Sequence, residues 1–118
     1  MIKNFRDLDV YKKSYKCVLE IYQLIKKFPD DERFALTSQI KRAAYSIPLN
    51  IAEGHGKHSS EKEFKRFLLI SLGSSDEMQV LIDLSFDLNY ISNEEHEKLL
   101  KNYEEISRML NGLMKNWK

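Results

Sequence analysis

Apolar side chains recur every three or four positions along most of the chain, the spacing that places them on one face of an α-helix. Short segments rich in turn-forming or charged residues interrupt this spacing three times, at residues 28–32, 54–60 and 89–92. The length of 118 residues suits one domain with its own core. The pattern therefore predicts an all-α fold with four helices in a single domain over residues 1–118.

The first helix is predicted to begin near Asp7 or Leu8 and to end near Lys27, before the Phe28-Pro29 pair. Its main apolar stripe contains Leu8, Tyr11, Tyr15, Val18, Leu19, Tyr22 and Ile25. Further apolar side chains lie outside this stripe, so more than about a third of the helix circumference is apolar. Such a width exceeds what a monomer needs and indicates a second buried contact.

The third and fourth helices each begin with a Ser-x-x-Glu sequence, which is typical of a capping box. Ser60 with Glu63 is predicted to open the third helix, which runs from Glu61 to about Asn89. Ser92 with Glu95 is predicted to open the fourth helix, which continues to Trp117.

The second helix, from Phe34 to Gly54, carries a proline near its middle. Pro48 has no N–H group and its ring crowds the carbonyl of Ala44, which costs about 3 kcal/mol in a helix interior. Proline also biases the residue before it away from the helical conformation. We therefore expect a kink or a short break at Ser46 to Pro48, followed by a second helical piece that stops at Gly54.

A polar stripe runs beside the apolar face of the second helix, at helical spacing. It consists of Gln39, Arg42, Ser46, Asn50 and Glu53. The middle of the third helix, Gly73-Ser74-Ser75, is unusually small, and small side chains let another helix approach closely. We expect the polar stripe to dock there with the serine hydroxyls as partners, so that Pro48 and Asn50 shape the bundle rather than a ligand site.

The run QIKRAAYSIPLNIAEG, residues 39–54, resembles the signature of small proteins encoded by intervening sequences within bacterial 23S ribosomal RNA genes. The flanking runs FRDLDVYKKS, ERFALTSQ and EFKRFLLISLGSSDE agree with it, so the resemblance covers nearly the whole chain. The positions that carry the motif are Gln39, Ser46, Pro48, Asn50, Glu53 and Gly54. This family has no settled biochemical function.

The resemblance implies an antiparallel, up-and-down four-helix bundle that assembles as a ring-shaped homopentamer. A related group includes the accessory variability determinant of diversity-generating retroelements, which binds nucleic acid and a reverse transcriptase. The resemblance therefore implies partners of two kinds, RNA or DNA and a partner protein.

Composition places the protein in a reducing, aqueous compartment. Cys17 is the single cysteine, so no disulfide can form within the chain. Charged residues stand where the apolar part of a signal peptide would be, and every apolar run is too short to span a membrane. We expect a soluble, cytoplasmic protein with no membrane partner.

The formal net charge of +1 conceals an uneven distribution. Residues 1–28 carry seven Lys or Arg against three acids, whereas residues 67–97 carry seven acids and no Lys or Arg. Charge asymmetry of this kind is typical of solvated helix faces, and it also steers self-assembly or places a basic face on an assembly.

Basic side chains suggest a nucleic-acid interface. The candidates are Lys12, Lys16, Lys41, Arg42, Lys57, Lys62, Lys65 and Arg66. Lysine and arginine bind phosphates by releasing counterions, and such contacts do not read a sequence. The pI of 7.8 is lower than that of most nucleic-acid-binding domains. The alternative is a protein–protein adaptor that docks a partner enzyme without binding nucleic acid.

No motif predicts catalysis, a cofactor or a metal. His55 and His58 lie near Glu53 and Glu61, but a structural zinc site requires four ligands, and Cys17 is far away in sequence. No histidine follows a glutamate by three positions, as di-iron bundles require. Neither a phosphate-binding glycine loop nor a nucleophile elbow is present. We therefore expect a non-enzymatic protein.

Overall fold

The structure, a computed structural model, describes residues 4–116. It contains four α-helices, α1 (Asp9–Leu24), α2 (Leu36–Gly56), α3 (Glu61–Asp87) and α4 (Asn93–Lys115). Short 3-10 turns at Phe5–Asp7, Ile25–Lys27 and Asp30–Glu32 complete the order. Over residues 4–116 there is no β-strand, so the prediction of an all-α fold with four helices is confirmed. The predicted end of the fourth helix at Trp117 lies outside the described residues.

Consecutive helices run antiparallel and form an up-and-down bundle. Lys13 on α1 and Lys27 in the 3-10 turn after it pair with Glu105 and Glu95 on α4, so the chain order is reversed between the first and last helices. The same reversal holds between α2 and α3, where Ile47 and Ser46 bond Ser71 and Ser74. It also holds between α3 and α4, where Ser75 and Asp83 bond Tyr103 and His96. The bundle measures 44 × 24 × 19 Å.

The two serine caps form where the sequence places them. Ser92 and Glu95 make a complete capping box, in which each side chain bonds the backbone N–H of the other residue. Ser60 accepts from the N–H of Glu63 at 3.2 Å, but Glu63 turns away and accepts from Arg66 instead. Asn89 has a φ of 66° and ends α3 in the left-handed conformation that commonly terminates helices.

The face that α1 buries differs from the predicted stripe. Tyr15, Leu19 and Tyr22, which belong to the predicted apolar stripe, are exposed within one bundle. The buried residues of α1 are Val10, Ser14, Cys17 and Ile21. Small residues cause the difference: the hydroxyl of Ser14 donates to the carbonyl of Tyr11, so a nominally polar residue points inward.

The predicted break at Pro48 is wrong, because α2 is one continuous helix that ends at Gly56. The kink, which was the other outcome expected there, stays a prediction. Pro48 is buried, and the turn around it gains hydrogen bonds from side chains. Asn50 Nδ2 donates to the carbonyl of Ser46 at 2.8 Å, and Ser71 Oγ donates to the carbonyl of Ile47 at 2.9 Å. These contacts and burial offset the missing N–H bond.

α2 and α3 approach each other closely at Gly54. In the segment Gly73-Ser74-Ser75, where the sequence predicted this approach, Ser74 contacts α2 but Gly73 does not. A Cβ atom on Gly54 would lie 2.9 Å from Phe67 Cβ and 3.3 Å from the carbonyl oxygen of Phe64. Gly73 is exposed, and a Cβ atom there would meet nothing within 4 Å. The small residue that the helix pair requires is therefore at the end of α2.

Two titratable side chains lie in the core between α1 and α4. Burial raises the pKa of the Cys17 thiol to about 11. Burial also raises the pKa of Tyr103 well above its usual value, and the Tyr103 hydroxyl has no hydrogen-bond partner among residues 4–116. Both groups are therefore neutral at ordinary pH and contribute by packing.

Candidate nucleic-acid interface

Cations are concentrated toward one end of the bundle, where α1 and α3 begin and α2 and α4 end. The half nearest this end, residues 4–17, 47–74 and 103–116, carries ten Lys or Arg against seven Asp or Glu. The opposite half, residues 18–46 and 75–102, carries seven Lys or Arg against eleven acids. We call the first half the basic end and the second the acidic end.

Four of the predicted basic residues lie where α2 passes into α3, at the basic end. Lys57 and Lys62 are exposed, and within residues 4–116 neither forms a salt bridge. Lys65 pairs with Glu61 at 2.8 Å, and Arg66 pairs with Glu63 at 3.2 Å while also lying over the Phe67 ring. Exposed pairs of this kind contribute at most about 1 kcal/mol, so phosphates can compete for both cations.

Lys12 and Lys16 lie one turn apart on α1 and belong to the same end. Both are exposed, and in the described part of the chain neither has an acidic partner. Lys13 instead faces α4 and pairs with Glu105 at 3.3 Å. The basic end therefore presents Lys12, Lys16, Lys57 and Lys62 as free cations among the predicted residues.

Lys41 and Arg42 do not join this group, because they lie on α2 in the acidic end. The Lys41 ammonium lies 5.4 Å from the centre of the Tyr22 ring on α1. Arg42 lines a cavity between α2 and α3. The structure therefore divides the eight predicted residues between the two ends of the bundle.

The cavity beside Arg42, which we call the polar pocket, has a volume of about 250 Å³. Its walls are Arg42, Ala43, Tyr45, Ser46, Leu49, Asn50, Ser74 and Glu77. Ser74 Oγ donates to Ser46 Oγ, so part of the polar stripe docks on the serines of α3 as predicted. Gln39 and Glu53 are exposed and do not line the pocket.

Glu77 is the residue of this pocket that sequence reasoning missed. It lies one turn after Ser74 on α3 and lines the same cavity as Arg42. The two charges are not within salt-bridge distance. The sequence does show an acid at helical spacing from Ser74. Assigning this acid to the pocket requires knowing which turns of α2 and α3 face each other.

A second cavity lies on the outer side of the α1–α2 contact, and we call it the aromatic groove. It has a volume of about 470 Å³ and is lined by Phe5, Tyr11, Tyr15, Val18, Leu19, Tyr45, Pro48, Leu49 and Ala52. Tyr45 and Leu49 also line the polar pocket, so the two cavities adjoin. The groove explains the wide apolar circumference of the first helix.

The histidines do not form a metal site in the part of the chain that the structure describes. The rings of His55 and His58 stack with their centres 5.0 Å apart, and His58 Nδ1 lies 2.7 Å from the carbonyl oxygen of His55. His96 bonds Asp83 across α3 and α4. Residues 4–116 contain no group of three or more His, Cys, Asp or Glu side chains arranged for a metal.

Over the same residues, every helix is too short or too polar to cross a membrane.

Comparisons with known proteins agree on one family. The model of the family described as 23S rRNA-intervening sequence protein matches residues 6–112. A crystal structure from Bacteroides thetaiotaomicron, described as a protein of unknown function from the S23 ribosomal protein family, superposes with a TM-score of 0.82. It is 28% identical, and the match covers 91% of this chain and 96% of that one. No curated protein matches the chain.

Proposed function

The chain belongs to the 23S rRNA-intervening sequence protein family, and with that membership as the premise we propose that it is a non-catalytic, self-associating bundle that binds RNA or DNA through its basic end. The observation that carries this proposal is the set of free cations at that end. Lys12, Lys16, Lys57 and Lys62 are all exposed and without acidic partners among residues 4–116. The nucleic acid would be held by its phosphates.

Low sequence specificity follows from the shape of this surface. Lysine ammonium groups are point charges that neutralise phosphates and release counterions. The aromatic groove lies along the side of the bundle, and the polar pocket opens between α2 and α3 in the middle of both helices, away from the free lysines. The basic end therefore positions a phosphate backbone without reading base edges.

Self-association brings the modest positive charge of several basic ends together in one assembly. We propose a homopentamer, the assembly implied by the sequence resemblance, in which each basic end is repeated five times. Linked sites raise the effective concentration of each further contact, so the assembly binds more tightly than one bundle. The exposed apolar side chains of α1 and α3 support self-association.

The test is a titration of nuclease-treated protein with labelled structured RNA and with duplex DNA at several salt concentrations. We expect the logarithm of the binding constant to fall linearly with the logarithm of salt concentration. Lys57→Glu with Lys62→Glu should weaken binding and reduce this slope. Lys26→Glu with Lys101→Glu, at two exposed lysines in the acidic end, changes the net charge by the same amount and is the matched control. Absence of binding at low salt, or equal loss in the control, would refute the proposal.

The second candidate is an adaptor that docks a partner enzyme and binds no nucleic acid. It is favoured by the exposed apolar surface, since Leu19 is 57% exposed and Val80 is 59% exposed. Large exposed apolar patches mark protein interaction sites. A complex of fixed stoichiometry that survives nuclease treatment, together with no salt-dependent binding of RNA or DNA, would favour this function.

A further inference from the structure

The outward face of α3 has the pattern of a helix that packs on two sides. Its inward face is buried and carries Phe64, Leu68, Ser71, Ser75 and Met78. On the opposite side, Ile70, Gly73, Glu77, Val80, Leu84 and Leu88 follow one another at spacings of three or four residues. All six are exposed. We call this row the α3 seam.

Gly73 has no role within one bundle. Glycine weakens a helix interior, and the space beyond Gly73 is empty to at least 4 Å from the position of an added Cβ. A glycine on an apolar helix face permits a second helix to approach closely. The seam therefore has both the apolar side chains and the gap that a docked helix requires.

Charge distinguishes the seam from the rest of the surface. It contains Glu77, and Asp76, Asp83 and Asp87 lie beside it on the same helix. From residue 67 to residue 97 the chain has no lysine or arginine. A partner for this face must be apolar at its centre and basic at its margin.

The aromatic groove has this complementary character. Its floor and walls are apolar, and the exposed side chains Leu19 and Leu49 contribute to them. On the α2 margin, Lys41 contacts the Tyr22 ring and Arg42 lines the adjoining polar pocket. Glu53 and Lys57 lie with Leu49 and Ala52 around a neighbouring hollow.

We propose that the α3 seam of one copy docks in the aromatic groove of a second copy. The inference rests on the proposed self-association and specifies which surfaces meet. Both contact surfaces are apolar, and acids on one side oppose cations on the other. The two surfaces are different, so the interface is heterologous and each copy still presents a free seam or a free groove. Repetition with a closing rotation gives a ring.

One substitution at an exposed position of each surface tests the two surfaces separately. Val80→Asp places a charge in the seam, and Leu19→Asp places one in the groove. Phe34→Asp is the matched control, because Phe34 is 86% exposed and lies on neither surface. The mass of each protein is measured by light scattering after size-exclusion chromatography over a range of concentrations.

The wild type and Phe34→Asp should assemble, whereas Val80→Asp alone and Leu19→Asp alone should be monomers. An equimolar mixture of the two monomers should form a 1:1 dimer, because one retains an intact groove and the other an intact seam. Thermal unfolding of each variant checks its fold. Leu84→Asp and Tyr15→Asp repeat the test at a second position on each surface.

Assembly of either variant alone, or a mixture that stays monomeric, would overturn the proposed interface. A monomeric wild type would overturn the interface and self-association together. Nucleic-acid binding is tested independently, because Lys57 and Lys62 lie on neither the seam nor the groove.

Discussion

Ser74 Oγ donates a hydrogen bond of 2.9 Å to Ser46 Oγ, which joins α3 to α2 beside the polar pocket. Asn50 Nδ2 donates to the same Ser46 oxygen at 3.0 Å and to the Ser46 carbonyl at 2.8 Å. Three polar side chains therefore form one network beside Pro48, and its Ser74–Ser46 bond connects the two helices. Within this arrangement Asn50 acts on the stability of the bundle.

Asn50→Ala should lower the free energy of unfolding by about 0.5–1 kcal/mol, because Ser46 loses a donor while alanine gains helix propensity. Urea unfolding measures the change. Gln39→Ala, at an exposed position of the same stripe, should alter the free energy by less than about 0.5 kcal/mol. Asn50 would instead belong to a ligand site if the variant kept its stability and assembly but no longer bound nucleic acid.

Gly54→Ala should destabilise the bundle by about 1–2 kcal/mol, because the added methyl group would meet Phe67 Cβ at 2.9 Å. Gly73→Ala is the matched control, and its effect on the free energy of unfolding should have the opposite sign. It should raise the stability of the isolated bundle by up to about 1 kcal/mol, since alanine is the better helix former and nothing is in its way. Thermal unfolding at low protein concentration measures both, and equal effects would contradict the assigned close approach.

Tyr103→Phe should leave the free energy of unfolding unchanged or raise it slightly, because the Tyr103 hydroxyl is buried and has no hydrogen-bond partner in the described part of the chain. Ser75→Ala should instead lower it by about 1 kcal/mol. Ser75 Oγ donates to the carbonyl of Tyr103 at 2.9 Å, and its loss leaves that buried acceptor without this donor. Chemical unfolding of the two variants side by side distinguishes the two contributions. A large loss in Tyr103→Phe would reveal an unobserved partner for the hydroxyl.

Cys17 should resist alkylation until the bundle unfolds, because burial raises the pKa of its thiol to about 11. The raised pKa also makes stability depend on pH. The thiol of the unfolded chain ionises near its ordinary pKa of 9, so its contribution is complete below pH 9 and is lost between pH 9 and 11.

Comparison with Cys17→Ala isolates this effect from the other titrating groups. The difference in unfolding free energy between wild type and variant should shrink as the pH rises from 9 to 11. A constant difference, or rapid alkylation of the folded protein at neutral pH, would contradict the burial of the thiol.

The four helices and the first residues of α3 and α4 were predictable because they depend on local sequence. Apolar periodicity located each helix, and Ser92 with Glu95 formed the predicted capping box. The inward face of α1 was not predictable from hydropathy, since it uses Ser14 and Cys17 while Tyr15 and Leu19 remain outside. The expected break at Pro48 overlooked contributions from Ser71 on a different helix.

The candidate interface was predictable residue by residue but not as a surface. Pairing of Lys65 with Glu61 and of Arg66 with Glu63 follows from helical spacing alone. Arg42 is far from Lys57 because Arg42 lies near the start of α2, whereas Lys57 follows its last residue. Glu77 and Arg42 line the same cavity because of the way α2 and α3 align. These relationships arise from tertiary packing, which periodicity within one helix does not specify.

The unequal charge of the two ends gives the molecule an electric dipole along its 44 Å axis. A polyanion would attract the basic end, so the long axis of the bundle would be perpendicular to the nucleic acid instead of parallel to it. The footprint would then be the cross-section of 24 × 19 Å, and 24 Å spans roughly seven base pairs at about 3.4 Å each. Upright copies occupy little length of nucleic acid and leave their flanks free for one another.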